Sequence, residues 1–200
     1  MKAPQTRQTL LEKLRDKYDE SSWDEFQQIY EPYVRRILRA MKMNDHDCND
    51  LLQNVMLICW KSLPKFEYKP EKGSFRAWIS TVSRRETVHF IKKRQRTFIS
   101  VKEEDSQYLQ MALDEVSRPQ IDKEILVEWQ KFISEKAWDN IKERFSDKVL
   151  AMFEDLTKGV NTEDLAAKYE VSESAVYVYK KRVLNSLQKE IIKLDRELGS

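Results

Sequence analysis

From Asn44 to Leu63 the apolar residues Leu51, Val55, Ile58 and Cys59 recur at the helical period, with Leu52, Met56 and Leu63 beside them. A strand turns successive side chains to opposite faces, so this spacing fits a helix that buries one broad face. The same period continues along the chain. It runs from about Gln8 to Lys17, from Trp23 to Lys42, from Asp47 to Leu63, and from Phe75 into the basic run near Arg96. Only three Gly interrupt 200 residues, and alternating β-branched runs are few. An all-α fold is expected.

Two breaks divide the pattern. In FEYKPEKGS, Pro70 and Gly73 break helix, and Ser74 can cap the helix that follows. From Thr97 to Pro119 the periodicity weakens and acidic residues gather: Glu103, Glu104, Asp105, Asp114 and Glu115. This stretch reads as a linker with a short helix around Tyr108 to Leu113. Helical pattern returns at Ile121 and continues to Leu198, with breaks near Ser146 and Gly159. The expectation is two small helical domains, residues 7–97 and 121–198, joined by a linker over 98–120.

The formal net charge is only +2, so any affinity for nucleic acid must come from where the charges lie. Aromatic residues, five Trp among them, argue against a disordered chain. Cys48 and Cys59 have no Cys-x-x-Cys partner, and His46 beside Cys48 supplies too few ligands for zinc, so free buried thiols in a reducing cytoplasm are expected. MKAPQTRQTLLEKLRDKYDE lacks the apolar core of a signal peptide, and no run reaches the length of a membrane span. A cytoplasmic protein without membrane insertion follows. No nucleophile and base constellation and no phosphate-binding glycine loop is present, so neither an enzyme nor a cofactor is expected.

Three surfaces carry chemistry. On the helix over Asp47 to Leu63, Asp50, Gln53 and Asn54 fall at i, i+3 and i+4, and Leu57 extends the row. Short hydrogen-bonding groups around a leucine suit a protein partner better than water does. In SRRETVHFIKKRQR, Arg85, Lys92 and Arg96 share a helical face with Arg84 alongside, while Trp78, Ile79 and Val82 point to the core. Phe66, Tyr68 and Phe75 stand just upstream, and aromatics beside a cationic helix can hold unpaired bases. Near the C-terminus, TEDLAAKYEVSESAVYVYKKRVLNSL reads as a helix-turn-helix in which Thr162 caps the first helix and Ser172 the second. Val176, Tyr179, Val183 and Leu187 form its inward stripe. Ser174, Val178, Lys181 and Asn185 face out, with Tyr177 and Arg182 at the edges, a set suited to base edges and phosphates in a major groove. Glu170 in the turn would be strained by about 1 to 2 kcal/mol if left-handed.

CNDLLQNVMLICWKSLPKF and GSFRAWISTVSRR, followed by EDLAAKYEVSESAVYVYKKRVLNSL, resemble the second-domain and fourth-domain motifs of bacterial sigma factors of the extracytoplasmic function (ECF) group. The Ala-Val-Tyr-Val-x-Lys-x-Arg-Val run is similar to a variety found in planctomycetes. The resemblance implies an alternative sigma factor that binds core RNA polymerase and promoter DNA. It places Asp50, Gln53, Asn54 and Leu57 on polymerase. Phe66, Tyr68, Lys72, Trp78, Arg84, Arg85, Lys92 and Arg96 would capture the −10 element, and Ser172, Ser174, Tyr177, Val178, Lys181, Arg182 and Asn185 would read the −35 element. It also admits an anti-sigma factor or other regulatory protein as a partner. Departures are Asn54, where the family often has Glu; Arg85, where many members have Asn; and Glu170 for the usual turn glycine. Two other classes fit the residues: a helix-turn-helix regulator acting as a dimer without polymerase, and a helical adaptor that binds protein only.

Overall fold

Short polar residues decide where the helices begin. Residues 7–16, 19–65, 74–97 and 103–199 are described by a computed structural model of the protein. Among them the order is α1 (Arg7–Lys13), α2 (Glu20–Ala40), α3 (Asp45–Ser62), α4 (Phe75–Thr97), α5 (Glu103–Ser117), α6 (Ile121–Lys142), α7 (Asp147–Thr157), α8 (Thr162–Lys168) and α9 (Glu173–Leu194). A 3-10 turn, Leu63–Lys65, follows α3, and a π-helical turn, Asp195–Gly199, follows α9. The described residues contain no strand, so the fold is all-α as expected. Asp19, Asn44, Ser74 and Ser172 each accept a backbone N–H three residues on, satisfying donors that a helix start leaves orphaned. The Asp19 carboxyl, held by Ser22 and Ser21, lies below the usual carboxylate range. At α8 the cap is Asn161, whose Oδ1 accepts from Asp164 N at 2.8 Å. The expected cap, Thr162, is instead the first helical residue; either side chain is a cap former, and the register differs by one.

Three helices end in the same way. After α2, α7 and α8 the backbone turns left-handed at Lys42 (φ 59°), Gly159 (φ 89°) and Glu170 (φ 50°). At each end one N–H returns to the helix from the left-handed residue and a second from the residue after it: Lys42 and Met43 to Arg39 O and Leu38 O, Gly159 and Val160 to Leu156 O and Asp155 O, Glu170 and Val171 to Ala167 O and Ala166 O. These are Schellman closures, and the residue after each turn is apolar: Met43 is buried, and Val160 and Val171 pack against the core of the second unit. The strain anticipated at Glu170 is therefore present.

Contacts divide the chain into two units, Met1–Phe132 with Glu197–Ser200, and Ile133–Arg196. In the first, α2, α3 and α4 pack on one another. Leu51, Val55 and Cys59 of α3 are fully buried, and burial drives the Cys59 thiol up to about 12. Both cysteines are free. Phe26 and Tyr30 of α2 meet Phe75 of α4 edge to face at 6.2 and 5.2 Å between ring centroids. Farther along α2, Tyr33 meets Trp129 of α6 at 4.8 Å, and its hydroxyl lies 3.1 Å from Ser80 Oγ.

The stretch expected to be mostly linker contains a full helix. In α5, Leu109, Ala112 and Val116 are buried at helical spacing, a stripe too thin to stand out among acidic neighbours. One end of α5 is tied by Tyr108, whose hydroxyl donates to Asp47 Oδ2 at 3.2 Å and accepts from Asn44 N at 3.1 Å. The other end is tied by Arg84, whose Nε donates to Val116 O at 3.0 Å, a cation on the last carbonyls of a helix. Asp47 is only 1% exposed and also accepts from Arg94 Nη1 at 2.6 Å and from Asn44 Nδ2 at 3.0 Å. One carboxylate thus joins α3, α4 and α5.

In the second unit, Met152 of α7, Leu165 of α8 and Val176 of α9 form the buried centre, with Tyr169, Val171 and Tyr179 packed around it. Asp155 accepts from Lys168 Nζ at 2.6 Å and Tyr169 Oη at 2.8 Å, which hold its carboxyl below the usual range and join α7 to the end of α8.

Three stability measurements follow. Gly159→Ala should lower the stability of the second unit by about 1 kcal/mol although its new Cβ meets nothing within 4 Å, because the cost lies in the backbone. Glu170→Gly should raise stability by a similar amount in urea unfolding. At Asp47, Arg94→Met should cost about 3 kcal/mol by leaving a buried charge short of its cation, and Asp47→Leu combined with Arg94→Met should recover part of that loss. Additive losses in this pair would mean that the two side chains do not act together.

Candidate docking and nucleic-acid surfaces

Because α3 buries Leu51, Val55 and Cys59, its opposite face must be open. Asp50, Gln53, Asn54 and Leu57 all lie there exposed, Leu57 to 47%. They form a ridge between two grooves. Toward α4 lies a groove of about 690 Å³ lined by Asp50, Gln53, Asn54 and Leu57 together with Glu86, His89, Phe90 and Lys93. Toward α2 lies one of about 900 Å³, and Gln53 and Leu57 line both. Trp60, 40% exposed, continues the ridge one turn beyond Leu57. Sequence reading passed over Trp60, although its i+3 spacing from Leu57 was the available signal.

The basic residues of α4 separate into different roles. Arg85 and Lys92 are exposed, with Arg85 Nε 3.5 Å from Glu86. Arg84 is one-third exposed and engaged: besides Val116 O, it pairs with Asp122 at 3.2 Å. Arg76, unremarked in the sequence, lies with its guanidinium 5.8 Å from the Trp129 ring centroid. Trp78 is half-buried and stacks on Phe75 at 5.3 Å. Arg96 belongs to α4, while Phe66, Tyr68 and Lys72 lie outside the described residues.

On α9, Ser172 caps the helix and its Oγ lies 3.0 Å from Ser174 Oγ. Ser174, Tyr177, Val178, Lys181, Arg182 and Asn185 are all exposed, Tyr177 to 56% and Val178 to 55%. Val176 and Val183 on the opposite side are fully buried, which fixes the rotation of the helix. The turn Tyr169–Ser172 between α8 and α9 is held by the closure at Glu170. Leu184, at 42% exposure, extends the open face and was not singled out from the sequence.

Among the described residues no group of three or more His, Cys, Asp or Glu is placed to hold a metal, and no helix is long and apolar enough to cross a membrane. No curated protein and no solved structure matches the chain. Residues 27–97, from within α2 to the end of α4, match the family model described as Sigma-70 region 2. That span contains the α3 ridge and the whole of α4. The match, which covers about a third of the chain, supports a sigma-factor family.

Proposed function

We propose that the chain is an alternative sigma factor of the ECF group, acting in the cytoplasm without a cofactor. It binds core RNA polymerase and directs initiation at promoters of its own. The observation that carries this reading is the match of residues 27–97 to Sigma-70 region 2, coupled to an open ridge of Asp50, Gln53, Asn54 and Leu57 in the middle of that span. The ridge takes the polymerase contact. The segment from Phe66 to Ser74 and the exposed cations of α4 hold the melted −10 strand, while the exposed face of α9 reads the −35 element in the major groove. In this reading residues 7–97 take the polymerase and −10 roles and residues 121–198 the −35 role, while residues 98–120 between them include α5, which packs on α4. A further partner in this reading is an anti-sigma factor or other regulatory protein.

Asp50→Ala with Gln53→Ala should weaken association with core polymerase and leave thermal stability within about 0.5 kcal/mol, as exposed substitutions do. An unfolded double variant would place these residues in the architecture and end the docking reading. Run-off transcription by reconstituted holoenzyme separates a sigma factor from a regulator that binds DNA alone. For the second unit, Lys181→Ala should weaken every duplex and reduce the salt slope by about one. Val178→Ala should change promoter choice more than affinity. Equal loss on all sequences from Val178→Ala would show that this face does not read bases.

A further inference from the structure

The outward face of α9 contains an acid among its candidate DNA-reading residues. Ser172 Oγ accepts from Ala175 N at 3.2 Å and lies 3.0 Å from Ser174 Oγ, so both hydroxyls are engaged in starting the helix. Glu173 stands between them in the chain. It is exposed, and its carboxylate makes no hydrogen bond or ion pair with another described residue. Near the other end of α9, by contrast, Glu190 is 6% exposed and accepts from Asn140 Nδ2 at 2.9 Å. Glu173, Tyr177 and Lys181 follow one another at i, i+4 and i+8, and all three are open. They form a row bordering Val178 and Asn185, and the burial of Val176 and Val183 keeps that row turned away from the core.

In a helix-turn-helix the N-terminal residues of the second helix are the ones that meet base edges in the major groove. A carboxylate there is repelled by the phosphates, and only a donor on the DNA offsets that cost. Ionised Glu accepts and cannot donate. Guanine N7 and O6 and thymine O4 are acceptors too, so Glu173 opposes both bases. Adenine offers its N6 amino group beside the acceptor N7, whereas cytosine offers the N4 amino group alone. We propose that Glu173 is a specificity residue of the −35 contact, accepting from cytosine N4 at one base pair and excluding guanine and thymine there. This rests on the −35 reading above and adds rejection to it: Val178 and Lys181 attract DNA, and Glu173 turns wrong sequences away. The same carboxylate lowers affinity for duplexes at large.

The test is selection of a randomised duplex pool by the full chain, followed by titration with duplexes that differ from the selected sequence at single base pairs. The parent should prefer cytosine over guanine or thymine by about tenfold at one position. Glu173→Ala should lose that preference, keep those at other positions, and bind unselected duplex more tightly than the parent. Glu173→Gln should move the preference to adenine, whose N6 and N7 match an amide. As a control, Glu170→Gln removes an equal charge from the exposed turn and should tighten unselected binding while leaving cytosine preferred. Each preference is a ratio taken on one variant, so a change in helix stability through the dipole does not enter it. Unchanged discrimination at every position in both Glu173 variants would leave the carboxylate to the helix dipole and overturn the proposal, with the −35 reading intact. Loss of the cytosine preference in Glu170→Gln alone would assign base reading to the turn and overturn it as well. A parent that selects no sequence ends the −35 reading and the proposal together.

Discussion

The N-terminal unit turns on the carboxylate of Asp47. A buried charge is costly unless it is paired and its remaining lone pairs are occupied. Asp47 has Arg94 on one oxygen and Tyr108 and Asn44 on the other, so its burial is compensated from α4, from α5 and from the cap of its own helix. Two of the donors are also positioned by something else: Asn44 caps α3, and Tyr108 accepts the Asn44 N–H while α5 lays Leu109 against its neighbours. The network fixes the start of α3 and hence the rotation of that helix about its axis. Asp50, Gln53, Asn54 and Leu57 face outward because the same helix has no freedom to turn them in.

The second unit reaches a comparable result by backbone closure. Gly159 and Glu170 bracket α8, so α7, α8 and α9 are separated by turns with little slack. A side chain at Glu170 is less favourable there than glycine, yet Val171 beside it still packs into the Met152, Leu165 and Val176 centre. Packing overrides local preference at this corner. The consequence is carried along α9, whose buried Val176 and Val183 leave Val178, Lys181 and Asn185 on the outside.

The long, thick stripes were legible in the sequence. Leu51, Val55 and Cys59 announce α3, and Val176 and Val183 announce α9, because large apolar groups at the helical period have few other arrangements. In α5 the stripe is Leu109, Ala112 and Val116, and a single Ala in the middle among acidic residues drops it beneath notice. Arg84 shows a second limit. Its charge suggested a nucleic-acid face, but its partners Val116 and Asp122 stand 32 and 38 positions along the chain, where no local pattern reaches. At the α3 ridge the sequence supplied the hydrogen-bonding row and the structure added its surroundings: the two grooves and the exposed Trp60.

Ancestry and cooperativity draw different borders on this chain. The matched segment stops at Thr97, whereas the N-terminal unit continues to Phe132. A fragment cut at the homology border would lose the phenol of Tyr108, the carbonyl of Val116, the carboxylate of Asp122 and the indole of Trp129. Arg84 would keep no backbone acceptor from α5, Asp47 would be one donor short, and one side of Tyr33 would open to water. Residues 27–97 excised alone would thus differ along α4 from the same residues in the intact protein. Hydrogen exchange in α4 would register that difference as lost protection, and a dissection that respects the folding unit would extend through Phe132.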